Sequence, residues 1–72
     1  MRPDIHDEIE KRFTYHAPKD GQPARYEALR AAAKVLATLI ADTTPLSREQ
    51  ALAMTNLEQA VFWANAAIAR NE

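Results

Sequence analysis

The stretch Thr43-Thr44-Pro45-Leu46-Ser47-Arg48-Glu49-Gln50 decides the fold. Pro45 disfavours α conformation at Thr44, so a helix running up to this point must stop. Two residues later, the Ser47 hydroxyl is placed to cap a new helix, with Gln50 three residues on to reach back: a Ser-x-x-Gln capping box. Neither glycine nor proline interrupts the chain between Pro23 and Thr44 or between Ser47 and Arg70. The spacing predicts two long helices, over 22–42 and 47–71, joined by a short turn, with Asn71 as the stop.

Working outward, Pro18, Gly21 and Pro23 break the chain before the first long helix. Pro23 falls in that helix's first turn, where a missing N–H costs nothing. Ahead of it, Ile5, Ile9 and Phe13 recur at helical spacing and predict a short helix from Asp4 to Arg12, followed by an extended loop over 14–21. Alanine fills about a fifth of the chain and is the strongest helix former. The only valines are Val35 and Val61, so strands have little support. The expected fold is all-α: a single domain over 1–72, built as an antiparallel hairpin of two long helices preceded by a short N-terminal helix and loop (1–21).

The apolar pattern exceeds what one hairpin uses. Met54, Leu57, Val61, Ala64 and Ile68 follow 3-4-3-4 spacing, the seam of an antiparallel pair. Leu29, Ala32, Leu36 and Leu39 are the matching stripe expected on the first helix. Val35 and Ile40, with Leu52, Phe62 and Trp63, stay outside both stripes. Ala53, Ala60 and Ala67 add a small-residue line at heptad spacing, where another helix can approach closely. Helices apolar on several sides are buried on several sides. A 72-residue chain without cysteine also has no disulfide or cysteine-bound zinc to supplement a small core. Both arguments predict a homo-oligomer.

Composition excludes several functions. The single glycine rules out glycine-rich phosphate loops, and no apolar run approaches the length of a membrane span. No apolar stretch follows Met1-Arg2-Pro3-Asp4, so no secretory signal is expected, and the expected compartment is the cytosol. Nine basic against ten acidic side chains give a net charge of −1, unlike a binder of DNA or RNA polymers. Ser47, the only serine, is explained as a cap. His6 and Glu10 stand four apart but lack a third metal ligand, and Asp7, Glu8 and Glu10 read as a solvated face. Neither an enzyme nor a metal or other cofactor is expected.

Positive charge is more informative. Tyr26, Arg30 and Lys34, at i, i+4 and i+8, line one face of the first long helix. Glu27 can relieve the Arg30–Lys34 repulsion across i, i+3, which is a sufficient structural account of the pair. The functional account is an anion, with phosphate the natural one, held against the stripe. Tyr15 and Lys19 in the preceding loop can fold over the helix start, supplying a stacking ring and a point charge. Arg70, in the last turn of the second helix, complements the helix dipole. In a symmetric oligomer its copies can also converge on an axis and make an anion site.

Tyr15-His16-Ala17-Pro18-Lys19, Gly21-Gln22-Pro23 and Tyr26-Glu27-Ala28-Leu29-Arg30, with the closing run from Leu57 through Trp63-Ala64-Asn65-Ala66-Ala67-Ile68-Ala69-Arg70-Asn71, resemble a phage family. It is the anti-CBASS cyclic-nucleotide sponge family, whose helical hairpin is shared with an anti-Thoeris sponge. The resemblance spans about residues 12 to 72. It implies a non-enzymatic hexamer of hairpins that sequesters cyclic oligonucleotide messengers in the cytoplasm of the infected bacterial host. Cyclic dinucleotides then sit between pairs of chains, and cyclic trinucleotides where three chains meet. By the same resemblance Tyr15 stacks on a base, Arg30, or else Lys34, meets a phosphate, and Arg70 belongs to the trinucleotide pocket. Tyr26 and Lys19 complete the expected dinucleotide set. Two other readings fit the sequence: a helical oligomeric module that binds a host protein through Leu52, Phe62 and Trp63, and a sponge for ADP-ribose-derived signals. A hydrolase that holds metal on the acidic N-terminal helix is a third, weaker one.

Overall fold

The structure, a computed structural model, describes residues 5–72. Three helices follow one another: α1 (Ile5–Phe13), α2 (Gln22–Thr43) and α3 (Arg48–Asn71), with no strand among the described residues. α2 and α3 pack against each other as the hairpin. Asp4, the expected start of α1, lies outside the described residues. α1 places Asp7 and Glu8 in its first turn and Lys11 and Arg12 in its last, the distribution that suits the helix dipole. Arg12 Nε donates to Glu8 Oε2 at 3.1 Å one turn back.

The turn forms as its residues dictate. Thr44 is extended (φ −125°, ψ 151°), and its N–H still donates to the Ile40 carbonyl at 3.1 Å. Ser47 Oγ accepts from the Gln50 N–H at 3.1 Å, which is half of the expected capping box. The other half is replaced: the Gln50 side chain donates across the turn to Thr44 O and Thr44 Oγ1, each at 3.1 Å.

The hairpin seam on α2 differs from the expected stripe. Tyr26, Leu29, Ala33, Ala37 and Ile40 are the half-buried positions, while Ala32, Leu36 and Leu39 are exposed. Small side chains at 33 and 37 let the two helices approach closely, and the bulkier leucines are turned outward. Ile40 thereby joins the seam. On α3 the expected residues Met54, Leu57, Val61, Ala64 and Ile68 are all half-buried.

Among the described residues no apolar side chain is fully buried. Val35 is 71% exposed, Phe62 63% and Trp63 66%. The chain exposes 6020 Å², against about 4,500 Å² for a compact monomer of its mass. Its radius of gyration is 15.8 Å, where a globular chain of this length has about 11 Å. Exposed apolar side chains on α2 and α3, among them Val35, Leu39, Phe62 and Trp63, contribute to that surface. No helix is long and apolar enough to cross a membrane among the described residues.

Candidate anion-and-base site

The entrance to α2 fixes the loop. Gly21 adopts φ 81° in the left-handed region, so it turns the chain into the helix without a side-chain cap. Gln22, the first residue of α2, fastens the loop instead. Its Oε1 accepts from the Lys19 N–H at 2.9 Å, and its own N–H donates to the Lys19 carbonyl at 3.0 Å. Its Nε2 reaches Glu72 Oε1 at 3.2 Å and the Ile68 carbonyl at 3.5 Å. Gln22 is 2% exposed, the most buried side chain of the described residues. Arg25 adds a two-pronged contact to the Glu72 carboxylate, with Nη1 to Oε2 at 2.9 Å and Nη2 on Oε1. The Arg25 guanidinium, and then the Gln22 amide, hold the Glu72 carboxyl down at about 2. The same ion pair raises Arg25 further above its ordinary value.

The loop thus clasped to the end of α3 forms one wall of a groove of about 460 Å³. Tyr15, Tyr26 and Arg30 line it together with Arg70 and Arg12. Tyr15 is 83% exposed, its ring available to a flat partner. Tyr26 is half-buried and its hydroxyl lies 3.5 Å from Gln22 Oε1. Asn65 also lines the groove, and its Oδ1 is buried without a hydrogen-bond partner. A buried acceptor left unmet carries a desolvation cost that a ligand amino or hydroxyl group can offset. Three guanidinium groups and two phenol rings in one cleft suit an anion attached to a planar ring.

The other expected residues lie elsewhere. Lys19 Nζ donates to the main-chain oxygen of Glu72, away from this groove. Lys34 stands one turn past Arg30, beside Met54, Leu57 and Glu58 in a shallow apolar depression. Arg70, expected from the resemblance in a different pocket from Tyr15, shares its groove within one chain.

A second groove, of about 450 Å³, runs between α1 and the end of α3. Arg12 and Arg70 line both grooves; Lys11, Phe13, Trp63 and Glu8 line only the second. His16 and Asn65 stand in the stretches that carry the resemblance but are assigned no role by it, and Arg12 had no signal at the sequence level, because its place at the groove depends on where α1 comes to rest. His16 Nε2 lies 2.7 Å from the Lys11 carbonyl and so ties the loop to α1. No group of three His, Asp or Glu side chains among the described residues can hold a metal ion.

Residues 5–69 match the family described as Acb2/Tad1, hairpin domain, the family of an anti-CBASS sponge and an anti-Thoeris sponge. The match takes in α1, which the sequence resemblance left aside, and ends one residue before Arg70. No curated protein and no solved structure matches the chain.

Proposed function

The chain belongs to the Acb2/Tad1 hairpin-domain family, a family of sponges for signalling molecules in phage defence, and from that premise we propose that it captures cyclic oligonucleotides. The observation that carries this reading is the convergence of Tyr15, Tyr26, Arg30 and Arg70 on one groove. A cyclic dinucleotide offers two phosphates and two flat bases; the groove offers guanidinium forks for the first and phenol rings for the second. Asn65 Oδ1 accepts from a base amino group. Capture alone is the mechanism: no bond is broken, and the messenger is withdrawn by mass action in the cytoplasm of the infected host.

The uncovered faces of α2 and α3 are closed by further copies of the chain, in a hexamer of hairpins as the resemblance implies. Two-fold contacts then bring paired tyrosines and arginines to a two-fold ligand, and three-fold contacts bring copies of Arg70 to a cyclic trinucleotide. Lys19 and Lys34 reach the ligand only where a neighbouring chain supplies the rest of the pocket.

Calorimetry of the assembled protein against cyclic dinucleotides and trinucleotides, with recovery of the ligand after heating, tests this reading. Tight binding and unchanged ligand support it; no heat with any of them overturns it. Because the family also includes an anti-Thoeris sponge, cyclic ADP-ribose derivatives belong in the same panel, and binding confined to them transfers the proposal to that ligand class.

A further inference from the structure

We infer that Asn65 is a specificity-determining residue of the Tyr15 groove: its amide oxygen selects a nucleotide whose base carries an exocyclic amino group. The inference rests on the sponge reading and deepens it, from how a messenger is held to which messenger is held. Asn65 is half-buried, and its Oδ1 is the one buried side-chain polar atom among the described residues without a hydrogen-bond partner. Folded chains leave few such atoms, so one at the wall of a cleft calls for a partner from outside the chain. No hydrogen bond holds Oδ1 where it is, so turning it into the groove about the soft terminal torsion breaks none. The oxygen is therefore poised to exchange an unmet position for a paired one.

The neighbouring side chains decide what that partner is. Arg12 and Arg30 line the same groove with the Tyr15 and Tyr26 rings, and no acidic side chain does. Phosphate oxygens only accept, so they pair with the guanidinium groups and are turned away by Oδ1. A base stacked on a phenol ring presents its donors at its edge, in the plane of the ring. The amino groups of adenine, cytosine and guanine meet the oxygen there, whereas uracil has no exocyclic donor. The ribose 2′-hydroxyl is the other uncharged donor of such a ligand, and the test separates the two.

The test is calorimetry of the intact protein and of Asn65→Leu with three ligands. They are cyclic di-AMP, its 2′-deoxy counterpart, and the cyclic dinucleotide of purine riboside, in which hydrogen replaces the amino group. The wild type is expected to bind cyclic di-AMP about tenfold more tightly than the purine riboside ligand, the worth of one hydrogen bond, and the deoxy ligand within about twofold of cyclic di-AMP. Asn65→Leu is expected to bind all three alike, with unliganded melting unchanged or raised, because an unmet buried acceptor is removed. Lower melting with an equal loss of all three ligands gives the amide a structural role and overturns the inference. Equal wild-type affinity for cyclic di-AMP and the purine riboside ligand overturns it too, and leaves the sponge reading standing. A loss confined to the deoxy ligand assigns Oδ1 to the ribose and overturns the selection of a base. A wild type that binds none of the three overturns the inference, and the sponge reading falls with it only when a cyclic trinucleotide also gives no heat.

Discussion

Gln22 Nε2 lies 3.2 Å from Glu72 Oε1, joining residues fifty positions apart in the chain. The same amide's Oε1 accepts the Lys19 N–H, so one side chain fastens the tyrosine-bearing loop to the end of α3. Gln22→Ala leaves that N–H without its acceptor in a part-buried setting, which costs about 1–3 kcal/mol. Urea unfolding followed by circular dichroism is expected to show the loss, with faster amide exchange over the loop. Unchanged stability and exchange would mean that the amide is not the fastening.

Glu72 also makes stability depend on acidity. Its carboxyl is held at about 2 in the folded chain, from an ordinary 4.5, by the Arg25 hydrogen bonds first and the Gln22 amide second. A group depressed on folding stabilises fully above its unfolded value and loses that contribution as pH falls through the folded one. The contribution is therefore complete above about pH 5 and gone near pH 2. It is small and salt-sensitive, because both partners lie at the surface. Melting of the wild type and Glu72→Gln is expected to differ most at neutral pH and to converge in acid. A gap that widens as pH falls would contradict the assignment.

The α2 register gives a sharper contrast. Leucine at Ala33 must fit into the close α2–α3 contact and is expected to destabilise by about 1–3 kcal/mol through overpacking. Leucine at Ala32 faces outward and is expected to change stability by less than about 0.5 kcal/mol. Denaturant midpoints of the two variants decide between the observed seam and the stripe expected from spacing. A costlier Ala32→Leu would restore the latter.

The sequence made the hairpin legible because its signals are local. Pro45 ends α2, Ser47 caps α3, and Pro23 marks the entrance to α2 wherever the helices then pack. The α2 seam was not legible, since Ala32-Ala33 and Leu36-Ala37 offer two adjacent stripes of similar hydropathy. Choosing between them depends on how closely the backbones approach, a property of the pair and not of either helix. Tyr15, Tyr26 and Arg30 were found as an aromatic and basic cluster. Arg12 was not, because the His16–Lys11 contact sets where the end of α1 lies, and Asn65 was not, because only the folded chain leaves its Oδ1 buried and without a partner. Lys19, read with that cluster as a point charge, meets the main-chain oxygen of Glu72 within one chain, a contact that spacing does not announce.

The uncovered apolar surface predicts assembly. Leu39 is 55% exposed and Val35 71%, on the side of α2 turned away from α3. Sedimentation is expected to show a multimer whose melting temperature rises with concentration, as mass action requires. Leu39→Glu puts a charge into that contact and is expected to release monomers. A wild type that sediments as a monomer at about 100 times the concentration used for calorimetry would sink the proposal, since folding linked to assembly is concentration-dependent.

Binding separates the roles of the two grooves. Tyr15 is exposed, so Tyr15→Ala is expected to leave unliganded melting unchanged and to weaken a cyclic dinucleotide by about tenfold or more, the loss of one stacked base. Arg70 borders both grooves, so Arg70→Ala is expected to weaken dinucleotides and trinucleotides alike. Arg70→Lys restores only part of that affinity, because a point charge replaces a fork. The distinguishing outcome is selectivity. If Arg70→Ala removes trinucleotide binding and spares dinucleotides, the arginine acts only at a meeting point of three chains. The groove it shares with Tyr15 in one chain is then not where it works.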